Sequence, residues 1–140
     1  MNFICFILIF LLFCCVIWTL YNQIQENILQ NEPKLHELKN KVKILDPSIE
    51  HIQLLKGNKS YTINKEKIYL CLTDENGKYY SDNMLTYVLI HEIAHVLNKK
   101  DIGHTDEFHR VFEELLIKAE GYGIYDPNEQ KIDNYCTYND

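Results

Sequence analysis

A chain of 140 residues holds one domain of modest size, and its formal net charge of -6 lies entirely outside an uncharged amino-terminal run. The polar part is therefore acidic and does not attract phosphate backbones, which argues against direct nucleic-acid binding. Of the five cysteines, Cys5, Cys14 and Cys15 fall in the apolar run; Cys71 and Cys136 are too few for a disulfide framework and read as free thiols rather than as a single bridge.

The elements follow in chain order. Phe3 to Leu20 carries no charge and meets the lower length limit for a membrane-spanning helix, with Trp18 and Tyr21 placed as interfacial aromatics. No Lys or Arg precedes the run and no small-x-small site follows it, so it reads as an uncleaved anchor in a lipid bilayer rather than a signal peptide. Tyr21 to Glu32 continues the helix or forms a stalk. Pro33 suits a first helical turn, and Leu35, Leu38, Val42 and Leu45 form an apolar stripe that ends at Asp46-Pro47. Lys34, Lys39, Lys41 and Lys43 read as a solvated face, with anionic lipid headgroups as the other use. The lysine distribution leans toward a cytoplasmic carboxy-terminal domain. The glycosylation pattern Asn58-Lys59-Ser60 matters only on the lumenal side.

Three strands are expected at His51 to Leu55, Tyr61 to Ile63 and Lys67 to Thr73, then a turn at Asp74 to Gly77 and a short return over Lys78 to Tyr80. The third strand is a candidate edge on which a peptide substrate adds. Ser81 or Asp82 caps a helix running to about Leu97, apolar nearly all round and so central. After a loop from Asn98 to Gly103, Thr105 caps a last helix whose stripe is Phe108, Val111, Phe112, Leu115, Leu116 and Ala119. Gly121 and Gly123 stop it, and Asp126 onward is polar. These elements give an α+β fold. The boundaries are 1–21 for the transmembrane anchor, 22–33 for the stalk, 34–125 for the folded domain and 126–140 for the polar tail.

Within the central helix lies His91-Glu92-Ile93-Ala94-His95. Residues four apart share a helix face, so His91 and His95 can hold one metal ion with Glu92 beside it as general base. A catalytic zinc takes three protein ligands and leaves one position open. Candidates for the third are Asp101, His104 and His109. Asp101 has the six-residue spacing of some zinc peptidases, but Asn98 stands where their turn glycine would be and no methionine follows the motif. His109 lies one turn into the last helix, suited to a supporting or core role. His104 is best placed: Gly103 breaks the chain before it and Thr105 opens a helix after it. Tyr122 and Tyr125 are weaker candidates for steadying an oxyanion.

The run HEIAHVLNKKDIGHTDEF, with Gly103, His104 and Phe108, resembles the core of the WLM and SprT-like metallopeptidases, and especially the small membrane-anchored predicted metallopeptidases of large DNA viruses. The resemblance covers about Leu35 to Tyr125. It implies a minimal zincin-like domain behind the transmembrane helix, with a small β-sheet, an active-site helix and a backing helix. It also implies Zn2+ on His91, His95 and His104, with Glu92 catalytic, acting on a protein or peptide substrate. The DNA-repair role of cellular relatives is not carried over, because no basic region accompanies the motif. The alternative expectation is a catalytically silent, zinc-stabilised interaction module at a viral or cellular membrane.

Overall fold

The computed structural model describes residues 2–137. Helix α1 spans Phe3–Gln30 and α2 spans Pro33–Val42; a 3-10 turn follows at Pro47–His51. Strands β1 (Gln53–Lys56), β2 (Tyr61–Ile63) and β3 (Lys67–Leu70) precede α3 (Asp82–Leu97) and α4 (Asp106–Gly121). The molecule is thus a mixed α+β fold with a long apolar amino-terminal helix and a small three-stranded sheet.

α1 is long and apolar enough to cross a membrane, and none of its residues is buried. It continues without a break through the stretch expected as a stalk. Its end packs against β1, where Gln53 Nε2 donates to Gln30 Oε1 at 3.2 Å, and Lys67 at the start of the neighbouring β3 pairs with Glu26 at 2.8 Å.

The helix starts follow local chemistry. Pro33 sits in the first turn of α2, where its missing N–H costs nothing. Asp46 caps the 3-10 turn through Ser48 N–H. Ser81 accepts from Met84 N–H at the head of α3, and Thr105 from Phe108 N–H at the head of α4, each satisfying an otherwise orphan donor.

α3 packs against α2, α4 and the sheet. Its Leu85, Leu89, Ile90, Ile93 and Ala94 are fully buried and meet Leu35, Leu38 and Val42 of α2 and Phe108, Phe112, Leu115 and Ala119 of α4 in one core. Each buried leucine or isoleucine contributes roughly 1.5–3 kcal/mol, and the helix that carries the histidines buries more residues than α2 or α4.

The sheet order is β1-β3-β2, with β1 parallel to β3 and β2 antiparallel to it. This corrects one expectation: Lys67–Leu70 is the central strand, already paired on both sides, and cannot accept a peptide. The strand beside α3 with a free side is β2. The expected return strand at Lys78 to Tyr80 reduces to a single bridge, Thr73 to Tyr79.

The lysines of α2 are engaged within the fold. Lys34 bonds Asp82 and Glu37, Lys39 donates to the carbonyls of Glu50 and Ile52, and Lys41 donates to Thr86 Oγ1. A lipid headgroup would have to displace these contacts.

Beyond Tyr125 the chain folds back onto the domain. Asp126 N–H donates to Asn83 Oδ1 at 2.7 Å, and Lys131 lies 4.1 Å from the Tyr87 ring centre. Cys71 and Cys136, expected as free thiols, form a disulfide across 65 residues. Nothing local to either cysteine announces this pairing; it depends on the tail's return path.

Candidate metal centre

α3 places His91 and His95 one turn apart on the same face. The third histidine arrives through the loop after α3. Gly103, at φ +90°, takes the left-handed backbone that glycine adopts without penalty, and this turns His104 back toward the helix. A Cβ at Gly103 would meet nothing within 4 Å, so the constraint is backbone conformation alone.

The loop is braced from two sides. Lys65, in the β2–β3 turn, donates to the carbonyl oxygens of Asn98 and Asp101. The Asp101 carboxylate accepts from Asn98 Nδ2 and from Thr105 Oγ1. Asp101, weighed as a ligand from its spacing, is therefore a loop brace. His109 is exposed, its ring centre 6.4 Å from that of His104, and it is outside the ligand cluster.

His91, His95 and His104 come together as the sequence spacing predicts. Their ligand atoms lie within 4.8 Å of one another. His104 Nε2 is 3.1 Å from His91 Nε2 and 3.2 Å from His95 Nε2. A tetrahedral zinc with metal–nitrogen bonds of about 2.0–2.1 Å sets its ligand nitrogens about 3.3–3.4 Å apart. The donor set and its spacing therefore fit such an ion. Phe108 forms the floor: its ring centre is 4.3 Å from His95, 4.8 Å from His104 and 5.0 Å from His91.

The electrostatics favour neutral imidazoles. Burial, and then the nearby His95, His104 and His109, push His91 down to about 4. Burial lowers His95 as well, assisted by His104 and Lys65. A metal does not have to displace protons from these two rings at neutral pH.

Glu92 is 6% exposed, and burial raises its carboxyl above the ordinary range. Thr62 of β2 opposes that shift by donating through Oγ1 to Glu92 Oε2 at 2.7 Å. Glu92 and the three histidines share a cleft of about 780 Å³, bordered by β2 on one side and by Ile102 and Gly103 on the other. Tyr125 is instead buried against Tyr87, and Tyr122 is exposed on the far end of α4, so neither lines this cleft.

Thr62 is the site residue that sequence reasoning misses. Its partner is 30 positions away, and a lone threonine between two larger strand residues carries no local mark of that role.

The chain is similar to two viral proteins. It is 46% identical over 88 residues to uncharacterized protein 136R of Invertebrate iridescent virus 6, a stretch that is 61% of this chain and 49% of that protein. It is 43% identical over 88 residues to uncharacterized protein 042R of Invertebrate iridescent virus 3, which is 62% of this chain and 55% of that protein. The chain spans about half the length of these curated relatives. No family model and no solved structure matches it.

Proposed function

We propose that the chain is a membrane-anchored zinc metallopeptidase with a zincin-like domain akin to the WLM and SprT-like group. The observation that carries this reading is the convergence of three histidine Nε2 atoms in a cleft that also holds a buried glutamate. His91, His95 and His104 hold the ion. A zinc bound there supplies an acidified water and an electrophile for the scissile carbonyl.

The remaining chemistry belongs to the chain. Glu92, its basicity raised by burial, takes a proton and later returns it to the leaving amine. Thr62 holds the carboxylate in one orientation. β2 presents the free sheet edge along which an extended peptide adds as a further strand. A purely structural zinc site has no use for a buried, oriented carboxylate, and this favours the enzyme over a silent module.

Residues 3–20, apolar and part of one long helix, support anchoring in a viral or host membrane. The Cys71–Cys136 bridge calls for an oxidising compartment, and Asn58 of the glycosylation pattern is exposed. Both favour the lumenal side over the cytoplasmic side to which the lysine distribution leans.

The test uses the purified full chain in detergent. One zinc per chain is expected, lost in His91→Ala and in His104→Ala. Glu92→Gln should keep zinc and lose peptide cleavage. A folded, never-chelated chain without zinc would overturn the reading. Zinc retained with no cleavage of any peptide would leave the silent interaction module.

A further inference from the structure

The cleft does not end at the histidines. On the other side of His91 and Glu92 it continues as a pocket of about 330 Å³, whose remaining walls are Lys59, Ser60, Tyr87, Val88, Tyr135 and Cys136. Two of these come from the carboxy-terminal segment, not from the helices or the sheet.

That segment is fixed at one point of the fold. Cys136 is bonded to Cys71, which follows β3. The Tyr135 hydroxyl donates to the Cys71 carbonyl oxygen and lies 3.0 Å from Ser60 Oγ. The Tyr135 ring rests on Tyr80 at 4.8 Å, and Cys136 N–H donates to Tyr80 Oη at 3.1 Å. Cys136 holds φ at +52°, a left-handed conformation that a residue with a Cβ adopts only when its surroundings impose it. The wall is therefore imposed by the latch.

The direction of a bound peptide follows from β2. The strand runs from Ser60, which borders both halves of the cleft, toward Asn64, which borders only the half with Ile102 and Gly103. Antiparallel pairing is the more stable mode of strand addition. A peptide added in that mode enters over Ile102 and leaves past Ser60 and Tyr135. The residue after the scissile bond thus meets Tyr87, Val88 and Tyr135.

We infer that Tyr135, locked by the Cys71–Cys136 disulfide, is a specificity-determining wall: it completes a subsite for a leucine- or phenylalanine-sized side chain immediately after the scissile bond. The inference rests on the metallopeptidase reading. The two aromatic rings, Val88 and the disulfide give that subsite its apolar character, and the disulfide ties the segment that closes it to the end of β3.

The test measures binding, not turnover. Succinyl-type hydroxamates carrying a methyl, isobutyl or benzyl group at the position after the metal-binding head are titrated into the zinc-loaded full chain. Isobutyl and benzyl should bind about tenfold tighter than methyl, as expected for burying most of such a group. In Tyr135→Ala and in Cys71→Ser/Cys136→Ser the preference should collapse to within about threefold, with zinc content unchanged. Tyr135→Trp should narrow the pocket and penalise benzyl selectively; if the double cysteine variant loses zinc, the two Tyr135 variants decide. An unchanged preference in those variants, or no preference in the unmodified chain, overturns the subsite alone. No hydroxamate binding to a zinc-loaded chain overturns the metallopeptidase reading and the subsite with it.

Discussion

Thr62 and Glu92 show how a single hydroxyl can offset the effect of burial on a carboxyl group, and in the proposed peptidase that balance sets the working range of the base. Burial raises the Glu92 carboxyl and the Thr62 hydrogen bond lowers it. Thr62→Val removes the lowering contribution only. Glu92 then holds its proton to higher pH, so the acidic limb of the kcat/KM profile should move upward. The maximal kcat should fall on the order of tenfold, the usual scale for losing a hydrogen bond to a charged group, while zinc stays bound. A profile that does not move would remove Thr62 from the site.

His91 makes a second, metal-free prediction. Its folded-state value of about 4 lies below that of an ordinary histidine, so between about 6.5 and 4 the unfolded chain binds a proton that the folded chain refuses. Stability of the chelator-treated protein should therefore fall as pH drops through that window, measured by denaturant midpoint at a series of pH values. The histidine trio was legible in the sequence because its geometry is local: two residues one helical turn apart and a third just after a glycine corner. Thr62 and Tyr135 were not, because each reaches the cleft through tertiary contacts that no spacing records.

At the scale of elements, the same division holds. α2, α3 and α4 were readable from caps and apolar stripes, since both act within a few residues. Leu35, Leu38 and Val42, and Phe108, Phe112, Leu115 and Ala119, are buried as their spacing predicts. Strand positions were also close. The sheet order was not readable, because it depends on which strands meet rather than on what each contains, and the strongest β pattern belongs to the strand that is central and therefore unavailable to a peptide.

Phe108 links the elements to the site, being fully buried beneath all three histidine rings. Phe108→Ala opens a cavity where α4 supports α3 and should cost about 3–5 kcal/mol in denaturant unfolding. Its zinc affinity should fall as well, because the rings lose the surface that fixes their tilt. Normal zinc affinity in a destabilised Phe108→Ala protein would mean that α3 and the Gly103 corner orient the histidines unaided.

For the molecule as a whole, the disulfide closes a loop of 65 residues that contains β3's exit, α3, α4 and the tail. Constraining an unfolded loop of that length is worth about 4 kcal/mol in the chain-entropy account. Cys71→Ser/Cys136→Ser should lower stability by about that amount in equilibrium unfolding of the oxidised full chain. A loss below about 1 kcal/mol would mean that the tail's other contacts hold it without the covalent bond.

The unbroken α1 has a mechanical consequence. With residues 3–20 in a bilayer, the remaining helical stretch to Gln30 is a strut of about 15 Å, stiff along its length and clamped to the sheet by Gln30 and Glu26. A flexible tether would let the cleft sweep a hemisphere; a strut narrows its range of heights above the bilayer. For a partner anchored in the same bilayer, encounter then becomes a search in two dimensions, with a steep dependence on whether the target bond lies at the matching height. Replacing residues 21–25 with a Gly/Ser stretch should leave cleavage of a free peptide unchanged. It should change the ratio between membrane-anchored targets of different stem lengths. Under the proposed reading as a membrane-anchored peptidase, the strut would make distance from the membrane a selection rule in its own right, separate from the residues that surround the cut bond.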